Sequence, residues 1–433
     1  MTEAFTDLLA PYLARQRWFA GGHPRSVRVI ASETLDERLE WMIVDADGAR
    51  YQLLVGFATP GEPPEFLHGH NDALLGAVDG RLAYDGLLDT ELAKVVLGRV
   101  APGQEATRVR PMGVEQSNTS LVLDDRLVLK VFRRLQEGTN PDVEVTAALT
   151  AVGFTSVAAL VGTWTRDGID LAVVQEYLAS GVDGWALALA SLRDYYGSEA
   201  ENPADCGGDF AGEASRLGEV TARLHVSLAD AFDTAAADPA TWAAGMERQL
   251  ERVGSESAWA PPARELFAGL REMTSAGRAV RVHGDYHLGQ VLRTDLGWYV
   301  LDFEGEPARP LVERQAPASP LKDVAGMLRS FHYASAVALH ERGEEERHSL
   351  RHRGEAWERR NRAALLDGYF SVAGVAELLP PDPRNLDLAL RAWELDKAVY
   401  EVAYERDHRP DWVEIPELAI HRLLEPEGTE TTS

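Results

Sequence analysis

The chain has 433 residues, 45% of them hydrophobic and 8% aromatic, which is globular usage and allows two or three domains around a large core. A formal net charge of −26 argues against nucleic acid or anionic membrane as partners, and any bound polyphosphate needs local cations. Cys206 is the single cysteine, which rules out an intramolecular disulfide and suits a reducing cytoplasm; no apolar run reaches the ~18 residues of a membrane span, and the acidic start Met1 to Asp7 predicts no signal peptide.

Residues 4–15 predict a helix with Phe5, Leu8, Leu9, Tyr12 and Leu13 on one face, kinked or shortened at Pro11. Strands are expected at Ser26 to Ile30, Leu39 to Asp45 and Arg50 to Gly56, with Asp47-Gly48 as a hairpin turn. Residues 1 to about 90 read as a small α+β domain. A second domain, 91–180, follows a different order. It has a polar loop, Glu115 to Ser120, then a strand carrying Lys130, then a helix opened by Asn140 as N-cap and Pro141 at the first position, then two more strands. Helices dominate residues 181–433, among them Trp185 to Tyr195, Phe210 to Ala229, Pro320 to Tyr333 and Leu386 to Tyr404. His340 to Arg362 carries both charge signs and reads as a solvated helix face.

Chemistry concentrates between Val280 and Pro307. A short apolar run delivers His283-Gly-Asp285, Gln290 follows five residues later, and a second apolar run ends on Asp302-Phe-Glu304. An acid on a loop, an amide five residues on and an acid after the next strand form the layout of a phosphoryl-transfer site. In that layout Asp285 is the base for an acceptor hydroxyl, and Gln290, Asp302 and Glu304 are oxygen ligands for Mg2+ on ATP. His283 is expected to buttress the loop, and His287 to face the acceptor. Lys130 lies on an apolar strand, where it would hold the α- and β-phosphates with Glu144 as its ion-pair partner. Ser117, Asn118, Thr119 and Ser120 stand where a phosphate loop would, and Glu176 and Tyr177 where backbone would meet adenine. Glu394, Lys397, Glu401 and Tyr404 recur along the last long helix. With Arg409 and Trp412 they supply hydrogen-bonding groups and aromatic faces suited to a sugar.

The order Lys130, Glu144, His283-Gly-Asp285-x-x-x-x-Gln290, Asp302-Phe-Glu304 resembles the aminoglycoside-phosphotransferase-like kinases, and Gly218 to His225 resembles a helix motif of that superfamily. Gln16-Arg-Trp-Phe-Ala-Gly21, Glu115 to Ser120, Asp323 to Ser330, Leu395 to Glu401 and His408-Arg-Pro-x-Trp412 are similar to motifs of the actinobacterial maltokinases, over nearly the whole chain. That resemblance implies an α+β, bilobal protein-kinase-like fold with an amino-terminal cap. It implies phosphorylation of maltose at its anomeric hydroxyl by ATP, feeding α-glucan synthesis, by a monomer or near-monomer open to association with enzymes of that pathway. A related branch phosphorylates glucosamine, whose ammonium would want a carboxylate, and Glu417 places an acid where the family usually has an apolar residue. A catalytically dead kinase fold acting as a scaffold is the alternative of a different class.

Overall fold

Residues 3–19, 22–59, 64–113, 118–306 and 309–425 are described by a computed structural model of the chain. They fall into two compact units, 1–147 with 158–179, and 148–157 with 180–433; the boundary expected near residue 90 lies inside the first.

In the first unit, helix α1 (Glu3–Leu13) precedes β1 (Val27–Asp36), β2 (Leu39–Ala46) and β3 (Ala49–Ala58). Asp47 and Gly48 both take positive φ, 52° and 87°, as the predicted hairpin requires. Strands β4 (Leu74–Val78) and β5 (Arg81–Asp85) complete an antiparallel sheet of order β1-β2-β3-β5-β4, and α2 (Thr90–Val100) follows. A second sheet has β6 (Val109–Pro111), β7 (Asn118–Leu123) and β8 (Leu127–Phe132), then β10 (Leu160–Arg166) and β11 (Ile169–Glu176), in the order β10-β11-β8-β7-β6. Two-residue β9 (Arg134–Leu135) leaves β8 to pair with β3, so the strand carrying Lys130 continues into the first sheet. Helix α3 (Pro141–Ala151) starts as the sequence predicts, with Asn140 Oδ1 accepting from Asp142 N at 2.8 Å.

Strand β2 is buried on both faces, which explains its unbroken apolar run. Met42 and Val44 pack with Phe5, Leu9 and Trp18, while Trp41 and Ile43 pack with α2 and the second sheet. Two buried polar side chains tie the sheets together. Gln52, fully buried, accepts from Trp41 Nε1 at 2.7 Å and donates to the Phe132 and Leu171 carbonyls at 3.0 and 2.8 Å. Arg133, 1% exposed, meets Asp85 Oδ2 at 2.5 Å, donates from Nε to Thr119 Oγ1 at 2.8 Å and lies over the Trp18 ring; Tyr12 Oη donates to the same Asp85 at 3.0 Å.

The second unit opens with β12 (Val182–Asp183), α4 (Gly184–Gly197) and α5 (Ala211–Ala231). After β13 (Ala235–Ala236) come α6 (Pro239–Gly254) and α7 (Ala260–Arg271), two helices for which the sequence reading proposed no element. Their signals were present: Asp238 caps Thr241 N, Pro239 takes the first position, and Ala243, Met246 and Leu250 line one buried face. Strand β14 (Arg278–Ala279), the hairpin β15 (Val291–Thr294) and β16 (Gly297–Val300), and α8 (Leu311–Gln315) lead to the long helices α9 (Leu321–His340), α10 (Glu344–Phe370) and α11 (Pro383–His408), then α12 (Glu414–Leu424). The expectation that the charged stretch ending at Arg362 is all solvated fails for the middle of α10. There Trp357, Glu358 and Asn361 are buried, because the charges are matched by partners on other helices. No helix among the described residues is long and apolar enough to cross a membrane.

Helices α5 and α10 cross where neither carries a Cβ. One added at Gly218 would overlap the Leu365 carbonyl oxygen and approach Tyr369 N to 2.8 Å, and one added at Gly368 would overlap the Ser215 carbonyl oxygen. Gly218→Ala or Gly368→Ala is therefore expected to cost about 1–3 kcal/mol or more in urea unfolding, as overpacking does. Gly212→Ala, where an added Cβ meets only the tip of Arg216 at 3.9 Å, should be neutral or stabilising.

Candidate active site

The loop carrying Asp285 is held by its backbone. Asp323, in the first turn of α9 and 1% exposed, accepts from His283 N at 2.8 Å, from Gly284 N at 2.9 Å and from His225 Nε2 at 3.1 Å. Burial works to raise the Asp323 carboxyl, but the hydrogen bond from His225 and its neighbours hold it below the usual range. Tyr369 Oη lies 2.8 Å from His225 Nδ1 and fixes the other side of that imidazole. Gly284 has φ +89°, a conformation glycine adopts without strain, and a Cβ on Gly326 of α9 would meet the Tyr286 carbonyl oxygen at 2.5 Å. Loop and helix are thus in backbone contact. His283 buttresses the loop as expected: buried between Tyr286 and Phe303, it accepts from Asp285 N through Nδ1 and donates from Nε2 to the Leu301 carbonyl at 2.8 Å.

Asp285 itself projects into a buried cluster of charges. Its Oδ1 lies 2.9 Å from Lys397 Nζ, and the same ammonium lies 2.9 Å from Glu306 Oε1. Burial would raise Asp285, yet Lys397 outweighs it and, with His287, holds the carboxyl far below the usual range. Glu306, 2% exposed, is held near 2 against burial by Lys397, Lys322 and Arg309. Burial lowers His287, so its imidazole is neutral near pH 7, and its Nδ1 accepts from Gly289 N at 3.0 Å. Gln290 Nε2 donates to Asp302 Oδ2 at 3.3 Å, which brings the predicted amide and second acid together. Asp302 sits at φ +62°, a left-handed backbone that costs a non-glycine residue energy and is characteristic of functional positions. Two carboxylates and an amide oxygen form an all-oxygen donor set that fits a hard divalent cation.

In the first unit, Lys130 Nζ pairs with Asp142 Oδ2 at 3.1 Å. The structure gives this lysine Asp142 as a partner, in the first turn of α3 and two residues before the expected Glu144, an acid that the sequence reading did not name. Thr119 spends its hydroxyl on Arg133, Asn118 and Ser120 are buried in β7, and Ser117 lies outside the described residues. The backbone N–H groups of Glu176 and Tyr177 already bond the Ala159 and Arg126 carbonyls, at 3.0 and 2.8 Å, so neither is available to a base.

The acceptor stripe expected on α11 divides. Lys397 reaches Asp285. Glu394 forms a buried two-pronged pair with Arg362 of α10 at 2.8 and 2.9 Å, and Glu401 one with Arg329 of α9 at 2.6 and 3.0 Å. Tyr404 is 42% exposed and stacks on His408, while Arg409 bonds Glu405 and lies 4.4 Å from the Trp412 ring. Sequence reading gave no role to Glu306, Arg309 or Asp396. A buried acid at Glu306, four residues past Asp302, was the one available signal.

Asp396 gives the cluster its pH dependence. Gln249 Nε2 donates to its Oδ1 at 2.8 Å, and Arg309 stands 3.8 Å from Oδ2. Burial raises its carboxyl to about 6, with Arg309 opposing and Glu306 reinforcing the rise. In the unfolded chain the group ionises near ~4, so the fold loses stability as pH rises from there to about 6. Asp396→Asn should therefore gain stability over wild type as pH rises, reaching roughly 2–3 kcal/mol more at pH 7 than at pH 4 in urea unfolding.

Similarity to known proteins runs the length of the chain. A family model for the maltokinase N-terminal cap domain matches residues 12–89. The glucosamine kinase of Streptacidiphilus jiangxiensis is 30% identical over 350 residues, 77% of either chain. That of Mycolicibacterium smegmatis is 32% identical over 349 residues, 76% of this chain and 82% of its own. A solved structure of glucosamine kinase in complex with glucosamine, ADP and inorganic phosphate aligns over 98% of this chain and 100% of its own, with TM-score 0.71 and 26% identity. With relatives of 30% and 32% identity over three quarters of the chain and a cap-domain model matched at its amino-terminal end, the chain belongs to the family of capped sugar kinases that includes the glucosamine kinases.

Proposed function

We propose that the chain transfers the γ-phosphoryl group of ATP to a hydroxyl of glucosamine. The observation that carries this reading is the end-to-end similarity to glucosamine kinases, one of them solved with glucosamine, ADP and inorganic phosphate. Maltose is the second reading, favoured by the cap match at residues 12–89 and by the maltokinase motifs.

In the proposed reaction Asp285 orients the acceptor hydroxyl. As the new O–P bond forms, the O–H proton passes to the Asp285 carboxylate, and ADP leaves with the electron pair of the broken P–O bond. Lys130, fixed by Asp142, contacts phosphate oxygens. Gln290, Asp302 and Glu304 would hold Mg2+, which offsets charge on the phosphates when bound. Positioning and charge stabilisation carry the rate.

The test is ADP release with glucosamine, N-acetylglucosamine, glucose and maltose. Glucosamine should give the highest kcat/KM, and capping its amine with acetyl should cost roughly 100-fold or more, as loss of a buried charge-assisted contact does. Maltose as the best acceptor would return the second reading. No turnover with any of the four would leave the scaffold alternative. Asp285→Asn should bind ADP like wild type in calorimetry but lose at least about 100-fold in kcat.

A further inference from the structure

Lys397 was expected to touch the acceptor, but its surroundings give it a different task. The ammonium has three N–H donors. One meets Asp285 Oδ1 and one meets Glu306 Oε1, both at 2.9 Å, and the Tyr400 ring centroid lies 4.8 Å away on a further side. Glu306 is itself clamped by Arg309, whose Nη2 donates to Gln249 Oε1 at 3.2 Å, and Gln249 is tied to Asp396. The lysine is therefore anchored from behind by a chain of buried partners drawn from the loop after Asp302, from α6 and from α11.

This anchoring makes the two oxygens of Asp285 unequal. A carboxylate at the end of a freely turning side chain presents either oxygen. Here Oδ1 is occupied, and among the described residues Oδ2 accepts no hydrogen bond. We propose that Lys397, locked by Glu306, is the positioning residue for Asp285, reserving Oδ2 for the acceptor hydroxyl. The proposal rests on the phosphoryl-transfer reading of Asp285 and extends it by assigning the group that aims the base. The charged and titratable groups around the pair are His283 and His287 from the loop, Glu306, Lys322 and Arg309 behind it, and Asp396, Tyr400 and Glu401 on α11. With Lys397 in place the carboxyl is held far below its usual range against burial. Without it the strongest influence opposing burial is lost, and the carboxyl moves up.

The test compares Lys397→Met and Glu306→Gln with wild type, measuring kcat, acceptor KM and the pH profile of kcat with the best acceptor found. Lys397→Met should lower kcat by roughly 10- to 100-fold, as a misplaced catalytic group does, with acceptor KM changed less than about threefold. Its acid limb should move to higher pH. Glu306→Gln keeps the lysine but loosens it, so its kcat should fall between the two; it carries the test if Lys397→Met does not fold. A rise in acceptor KM with kcat unchanged would make Lys397 an acceptor ligand and overturn the proposal. So would unchanged kcat and acid limb in folded variants. Failure of the phosphoryl-transfer reading is seen separately, as absence of turnover in wild type.

Discussion

One buried carboxylate, Asp323, determines whether the rest of the site exists. Its two oxygens take two consecutive backbone N–H groups of the loop and an imidazole, three hydrogen bonds inside a carboxylate that is 1% exposed. Charge-assisted hydrogen bonds of this kind are about twice as strong as neutral ones, and an unpaired buried carboxylate is costly enough that the loop cannot relax away from it. Everything downstream inherits this position. Gly284 turns with positive φ, Asp285 is presented, His283 packs between two aromatic rings, and Gly326 lets helix and loop backbones touch.

Much of the layout around Asp285 was legible because it is local. His283, Asp285 and Gln290 lie on one loop, Asp302 ends the next hairpin, and Asn140-Pro141 announces a helix start by side-chain chemistry alone. The contact between Gln290 and Asp302 follows once β15 and β16 pair. Contacts that depend on tertiary packing were not legible. Lys397 is 112 positions from Asp285, and the spacing that put it on one stripe with Glu394 and Glu401 says only that they share a helix. Which element answers each residue is decided by packing: α10 for Glu394, α9 for Glu401, the Asp285 loop for Lys397. The ion pair of Lys130 shows the same limit at short range. Asp142 and Glu144 both open α3, and the order of residues alone did not single out the pair that Lys130 makes with Asp142.

Charge links the composition to the site. A chain of net charge −26 was expected to need local cations for a polyphosphate. Within the second unit Lys397 is matched by Asp285 and Glu306, and Arg309 by Glu306; within the first, Lys130 is matched by Asp142. Buried cations of this kind are held where they are by their acids.

The paired side chains of Gln52 and Arg133 bear on how such a chain can be inherited. Cutting near residue 90 would strip Arg133 of Asp85, leave the Phe132 and Leu171 carbonyls without their amide donor, and take away the strand that β9 pairs with. The resulting kinase half would expose a buried guanidinium and a sheet edge. The cap is consequently not a module that gene fusion could add or delete in one step. It and the strands that carry Lys130 form a single heritable piece, and variation is free only on surfaces remote from those two ties.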